Sequence, residues 1–393
     1  MQTIKILEKD ECCGCSSCSQ KCPKNAIKMI KNNEGFLYPE IDENLCVNCG
    51  LCVKACPQLV NNKEKADDYP KAYAMRNLND NELKDSSSGG IFTAVSNYVL
   101  KNNGVVFGAA FDETLKVNHV MIDNTDDLNK LRGSKYVQSN INNTYMLAEK
   151  ELNKNRTVLF SGTPCQIAGL KSYLMREYDN LITADLVCHG VPSQEMFNVY
   201  IEYLSLKFKS KVVNYNFRSK EKNGWGLTAM VETEDGKIRY IEAFTDPYYI
   251  NFLDSHTYRE SCYKCRYANL NRVSDITLAD YWGIKDVHPE FYKKSGNSLI
   301  LINTKKGKDL IEKISEYIDM IETDLNIASS YNTNLTQPSC RGKKRDHIYD
   351  SINENDCRKF VKGNLTIPII KRFKAMLPPK LKEVLKKFKS YIK

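Results

Sequence analysis

No stretch of uncharged apolar residues in this 393-residue chain approaches the ~18 needed to span a membrane, so no transmembrane helix is predicted. Residues 1–10 lack the apolar core and small-residue cleavage site of a secretory leader, and 15 cysteines without such a leader imply a reducing, cytoplasmic setting. A G-x-G-x-x-G turn after a strand, with an acidic residue about twenty positions on, is also missing, which argues against a conventional nicotinamide dinucleotide site. Net positive charge is scarce over most of the chain. The formal net charge is +9, but nine Lys or Arg against one Glu fall within residues 368–393 and leave the rest near neutral. No nucleic-acid partner is expected on that distribution.

What the chain has in quantity is cysteine, and most of it lies in the first 57 residues. Cys12, Cys15, Cys18 and Cys22 precede Pro23, and Cys46, Cys49, Cys52 and Cys56 precede Pro57 with the same spacing. This is C-x2-C-x2-C-x3-C-P twice, the two-cluster ferredoxin pattern. One loop wraps three corners of a cubane, and the fourth cysteine of each run, too far round to join them, ligates the other cluster. The spacing therefore assigns Cys12, Cys15, Cys18 and Cys56 to one 4Fe-4S cluster, and Cys46, Cys49, Cys52 and Cys22 to a second. Zinc sites use paired hooks with a long gap and disulfides need an oxidising compartment, so both fit badly. Cys13 has no place in either register. Accessible clusters of this type suggest an anaerobe.

With 42% apolar residues, the chain can build two or three domains. Residues 1–62 form the ferredoxin-like module, in which 26–30 and 36–41 are paired strands about a turn at 32–35. Residues 63–70 are a polar linker, and 71–325 alternate strand and helix patterns as an α/β domain. Within it, 105–111, 157–161, 181–187, 276–281 and 299–303 read as strands. Residues 91–101, 164–175, 193–208 and 309–321 read as helices, and 227–244 as a hairpin turning at Asp235-Gly236. Residues 326–367 are an irregular connector and 368–393 a helical tail.

A second set of residues carries chemistry. Cys165, in GTPCQ, and Cys188, in CHG, each follow a strand, and a parallel sheet gathers ligands at its carboxyl edge. Cys262 and Cys265 add a C-x2-C hook. Together these four can hold a third 4Fe-4S cluster, or zinc, or act as plain small apolar side chains. SSSGG (residues 86–90), opening a helix, is either an ordinary amino-terminal cap or a phosphate cradle. GSKYVQS (residues 133–139) is either a plain loop or a holder of flavin phosphates and ring.

SSSGGIFTA (86–94), RGSKYVQS (132–139), FSGTPCQIAGL (160–170), CHGVPS (188–193), CYKC (262–265) and SDITLADYWG (274–283) occur in this order. Together they resemble the beta-subunit family of the hydrogenase and dehydrogenase acting on the deazaflavin coenzyme F420, with a ferredoxin domain in front. The resemblance implies an α/β flavin-binding domain and FAD beside Ser88, Gly89, Gly90, Ser134, Lys135, Gln138, Ser139 and Thr163. It also implies a cluster on Cys165, Cys188, Cys262 and Cys265.

The expected function is an iron-sulfur flavoprotein oxidoreductase passing electrons between a hydride carrier such as coenzyme F420 and a ferredoxin or other redox partner. The alternatives are a ferredoxin-fed reductase of a small organic substrate, in polysaccharide or cofactor metabolism, and a relay subunit without a substrate of its own. Lys135, or the helix amino terminus at Gly90, is the candidate to stabilise an anionic reduced flavin. His189 is either a proton donor or a packed neighbour of the cluster. In the tail, Leu377, Leu381, Val384, Leu385, Phe388 and Ile392 share one helical face flanked by lysines. This suits either an anionic membrane surface, placing the protein at the inner face, or docking on its own domain or a partner.

Overall fold

The computed structural model describes residues 3–60, 70–354 and 356–368. The expected linker 63–70 and tail 368–393 lie outside them, apart from Pro70 and Pro368. In the amino-terminal module, β1 (Ile27–Lys31) and β2 (Leu37–Ile41) pair antiparallel. One-turn helices Ser17–Gln20 and Leu51–Lys54 carry the middle of each cysteine run. Its small core is Ile4 and Ile27 packed with Cys18, Cys52 and Cys56. With so little apolar area to bury, a module of this size depends on its cofactor sites and its neighbour for stability.

That neighbour is built on one eight-stranded sheet. Its strands are β3 (Lys71–Asn77), β4 (Val105–Phe111), β5 (Val117–Ile122), β6 (Val158–Ser161), β7 (Leu181–Leu186), β11 (Ile276–Asp280), β12 (Ser298–Ile302) and β13 (Ile318–Thr323). The order is β13-β3-β12-β11-β7-β6-β4-β5. The four central strands, β11, β7, β6 and β4, run parallel, and antiparallel strands complete both sides. Parallel strands are buried on both faces and so read as apolar runs; Val158, Leu159 and Phe160 of β6 are fully buried. One face packs Leu159, Ile276 and Ile300 against Ile91, Val95 and Val99 of the Ile91–Lys101 helix. The other packs Phe107 and Phe160 against Tyr145, Ile167 and Leu170. A smaller antiparallel sheet, β8 (Val212–Asn216), β9 (Thr228–Thr233) and β10 (Ile238–Glu242), covers the Gln194–Phe208 helix through an aromatic core of Phe197, Tyr200, Tyr215 and Tyr248.

Two expectations differ from the structure. Residues 309–321 are not one helix: the helix runs Lys305–Lys313, started by the Thr304 hydroxyl accepting from the Gly307 amide, and β13 follows as an edge strand on β3. Residues 326–367 are not irregular. They hold short helices at Leu325–Ser330, Arg345–Asp350 and Cys357–Asn364, and Tyr349, Phe360 and Val361 enter the aromatic core, whose burial holds this segment in place. Among the described residues no helix is long and apolar enough to cross a membrane.

The ferredoxin-like module is seated on the larger domain. Gln20 Oε1 accepts from the amides of Tyr145 and Met146, Tyr267 donates to the Pro57 carbonyl, and Arg345 pairs with Glu34. One close approach is at Gly169, in the Pro164–Leu174 helix, where an added Cβ would meet Cys15 Cβ at 2.9 Å, Cys15 Sγ at 3.0 Å and the Tyr145 hydroxyl at 2.8 Å. Gly169→Ala gains ~1 kcal/mol of helix propensity and loses ~1–3 kcal/mol to overpacking against an immobile Cβ. The expected net result is a lower urea midpoint and faster proteolytic cutting between module and domain; a midpoint at or above wild type would show that the seam is loose.

Candidate redox site

The two cysteine runs fold so that Cys12, Cys15, Cys18 and Cys56 line one small cavity, with Ile4, Leu7, Met29 and Pro39 closing it. Cys22, Cys46, Cys49 and Cys52 line another, between Ile27 and Ile41. In each, three thiols come from one run and the fourth from the other. The first cavity faces the large domain, while the second lies toward solvent, with Cys49 exposed and Val47 58% exposed beside it.

The other four thiols also converge. Cys265 faces both Cys165 and Cys188, and Cys262 faces Cys188 and Cys265. Chain order explains this: Cys165 begins the helix after β6, Cys188 follows β7, and the turn Glu260–Lys264 brings the hook across both strand ends. Cys13, which sequence spacing left without a role, is buried between the sets, its thiol in contact with those of Cys15 and Cys165.

Burial pushes the Cys56 and Cys188 thiols up to about 12, so as free groups they remain protonated near neutrality. Coordination to a cationic centre reverses this by taking the thiolate outright. Among the described residues no three His, Cys, Asp or Glu side chains stand close enough to share a single metal ion. A cubane, by contrast, holds its thiolates apart around a larger body. The donor chemistry of all three sets thus suits clusters.

Against the third set opens a cavity of about 380 Å³ at the carboxyl edge of the parallel strands. That size falls within the usual range of small-molecule sites. Of the residues named from the sequence, Ser88, Gly90, Ser134, Lys135, Ser139, Thr163, Cys188 and His189 lie on its wall; Gly89 and Gln138 do not. Gly89 is packed on the sheet, where a Cβ would stand 2.4 Å from the Met75 carbonyl oxygen. Gln138 turns toward the ferredoxin-like module, its Nε2 donating to the Cys13 carbonyl at 2.9 Å.

The two loops that resemblance brings to a flavin are joined: the Ser134 amide and hydroxyl both reach the Ser87 hydroxyl, at 2.8 and 3.0 Å. Gly90, at φ +77°, turns the chain into the Ile91–Lys101 helix, whose first residues, Ile91, Phe92 and Thr93, lie on the same wall. Lys135 Nζ donates to the carbonyls of Arg132 at 2.8 Å and Lys130 at 3.1 Å, and burial lowers its pKa to about 7. The Ser139 hydroxyl is committed to His119 Nδ1 at 2.8 Å. His189 faces the cavity, and burial lowers its ring pKa, against the pull of Asp280.

Several wall residues carry no sequence signal. His119 on β5 accepts from Ser139 and therefore carries its proton on Nε2, which donates to the Ser161 carbonyl at 2.9 Å; burial holds its pKa at about 4, so the ring is neutral. Arg218 grips Asp280 with two bonds of 2.7 and 2.8 Å and reaches the Tyr136 hydroxyl at 3.1 Å. Burial pushes the Asp280 carboxyl up, but the guanidinium beside it holds it below the usual range. Trp225 Nε1 donates to the same carboxylate at 2.6 Å, and its ring stacks on Trp282 with centroids 5.1 Å apart. Asp280 and Trp282 belong to SDITLADYWG, so that motif held the only available hint; Arg218 is a lone arginine without one.

The family described as "Coenzyme F420 hydrogenase/dehydrogenase, beta subunit" matches with its N-terminal part over residues 72–145 and its C-terminal part over 155–326. A "4Fe-4S dicluster domain" matches 11–60. Coenzyme F420-dependent sulfite reductase of Methanocaldococcus jannaschii is 26% identical over 309 residues, covering 78% of this chain and 46% of that protein. An uncharacterized ferredoxin of the same organism is 36% identical over 62 residues, 14% of this chain and 34% of that protein. The chain therefore spans about half the length of the first relative and a third of the second. A chain of the F420-reducing [NiFe] hydrogenase complex from Methanosarcina barkeri aligns over 67% of this chain and 88% of its own, with a TM-score of 0.47 and 19% identity. Matched in both parts of the family's length over more than half of its own, the chain belongs to the coenzyme F420 hydrogenase/dehydrogenase beta-subunit family, with a 4Fe-4S dicluster domain ahead of it.

Proposed function

We propose that this chain is an iron-sulfur flavoprotein oxidoreductase that exchanges a hydride with a carrier such as coenzyme F420 and passes the electrons singly to a ferredoxin or similar redox protein. The observation that carries this reading is continuity. Cys188 lies on the cavity wall and in the third thiol set, Cys13 touches both Cys165 of that set and Cys15 of the next, and the last set reaches the surface at Cys49.

Three cubanes would sit on Cys12, Cys15, Cys18 and Cys56; on Cys22, Cys46, Cys49 and Cys52; and on Cys165, Cys188, Cys262 and Cys265. FAD would lie against Ser88, Gly90, Ser134, Lys135 and Thr163. Bound there, FAD supplies two-electron exchange and the clusters one-electron transfer. The chain's own part is to orient and to hold charge. The joined Ser87 and Ser134 loops fix one wall, and the helix amino terminus after Gly90 favours an anion there. Lys135 adds a positive charge when it holds its proton. His119 is locked neutral between Ser139 and Ser161 and ties those two wall residues together. The paired Arg218 and Asp280 present a polar rim without net charge. A relay subunit remains the second reading, favoured by Leu45 and Val47, which are 48% and 58% exposed near the outer thiol set and form a dry landing for a protein partner.

Anaerobic iron analysis of the reconstituted chain is expected to give about 12 iron atoms, falling to about 8 in Cys165→Ser combined with Cys265→Ser; unchanged iron in the double variant would remove the third cluster. Stopped-flow mixing of the FAD-loaded chain with reduced coenzyme F420, NADH, NADPH or reduced ferredoxin is expected to show flavin bleaching fastest with the deazaflavin. Bleaching only by reduced ferredoxin would instead favour a reductase of a small organic substrate, and none by any donor the relay subunit. Because an anion beside Lys135 raises an amine pKa that starts at about 7, FAD affinity is expected to fall as pH rises through 7 and to be flat in Lys135→Met. A flat wild-type titration would take Lys135 away from the bound anion.

A further inference from the structure

Four arginines are buried among the described residues: Arg218, Arg259, Arg272 and Arg345. Three have a carboxylate partner, Arg218 with Asp280, Arg272 with Asp185 and Arg345 with Glu34. Arg259, only 1% exposed, has none among the described residues. Its Nε donates to the Cys12 carbonyl at 2.6 Å, its Nη1 to Gln138 Oε1 at 3.2 Å and its Nη2 to the Leu37 carbonyl at 2.9 Å, all neutral acceptors. Its plane lies over Tyr38, 4.1 Å from the ring centre. The molecule makes room for it: a Cβ on Gly14, at φ +66°, would stand 2.7 Å from Nη1.

A buried cation without a counter-charge is costly, of the order of several kcal/mol. What the guanidinium does face is sulfur: it lies near the thiols of Cys12, Cys13 and Cys262. Four thiolates around a cubane make an anion, and one-electron reduction adds a further negative charge. Net charge and hydrogen bonds to the sulfurs are main determinants of such a cluster's potential. Burial works the other way, since a low dielectric disfavours the more highly charged reduced state.

We propose that Arg259 is the buried counter-cation of the cluster on Cys12, Cys15, Cys18 and Cys56, and that it keeps this enclosed cluster reducible between the cavity and the surface. The inference rests on the cluster reading above and adds to it a residue that tunes potential. It also gives Gln138 a role: the neutral amide that holds the guanidinium in place leaves the positive charge unspent.

The test is an EPR-monitored redox titration of the full reconstituted chain, with iron measured on each sample. Arg259→Met is expected to lower one midpoint by at least tenfold in the one-electron equilibrium, about 59 mV, while Arg259→Lys retains most of the wild-type value. The affected cluster should be the one whose signal Cys56→Ser perturbs. If Arg259→Met fails to hold iron, Gln138→Glu decides: it keeps the guanidinium and sets a carboxylate against it, and the same midpoint should fall. Full iron with that midpoint unmoved in Gln138→Glu, or with every midpoint lowered equally, would overturn the role of Arg259 and leave the clusters standing. A wild-type chain without the iron of the two ferredoxin-type clusters would overturn both.

Discussion

Cys15 pressed against Gly169 is the contact on which the arrangement depends. A ferredoxin-like module has too few apolar residues to fix its own orientation, and its core here is little more than Ile4, Ile27 and three cysteines. Its position is set by the helix it lands on, at the single residue without a side chain to hold it off. That helix starts at Pro164 with a capping box from Thr163 and Gln166, so the backbone that presents Gly169 to the module also presents Cys165 to the third thiol set. Sheet, helix and module thereby share one reference point, and the thiol sets inherit fixed separations from it.

Charge is distributed on the same principle. Around the cavity each buried arginine is neutralised locally, by Asp280 or Asp185. At the seam Arg345 is likewise paired, with Glu34, but for Arg259 the compensation is withheld. Arg259 is surrounded by carbonyls, an amide and aromatic rings, an environment that stabilises a cation through dipoles and quadrupoles yet leaves its field available to the sulfurs.

How much of this was legible depended on whether the determinant was local in sequence. The thiol sets of the ferredoxin-like module could be read because cubane ligation fixes spacings of two and three residues. The parallel strands could be read because burial on both faces leaves unbroken apolar runs such as Val158–Phe160. The strand β3 and the edge strand β13 could not: Lys71–Asn77 mixes charge with alanine, and Ile318–Thr323 follows its helix so closely that a single helical period covered both. Residues 345–364 looked irregular because their apolar positions serve an aromatic core assembled from distant segments. His119, Arg218 and Arg259 are single residues whose meaning lies in partners 42, 62 and 247 positions away. Gln138 shows the limit of resemblance: its motif lies at the cavity, but its side chain points out of the back of it.

The chain has two tryptophans, and they are stacked on each other, their planes 6° apart, with Trp282 on the cavity wall and Trp225 bonded to Asp280 behind it. All of its indole emission therefore originates within a ring's width of the cavity. Its tryptophan emission is a built-in optical gauge of what occupies that cavity, because the ferredoxin-like module and the aromatic core contain no tryptophan.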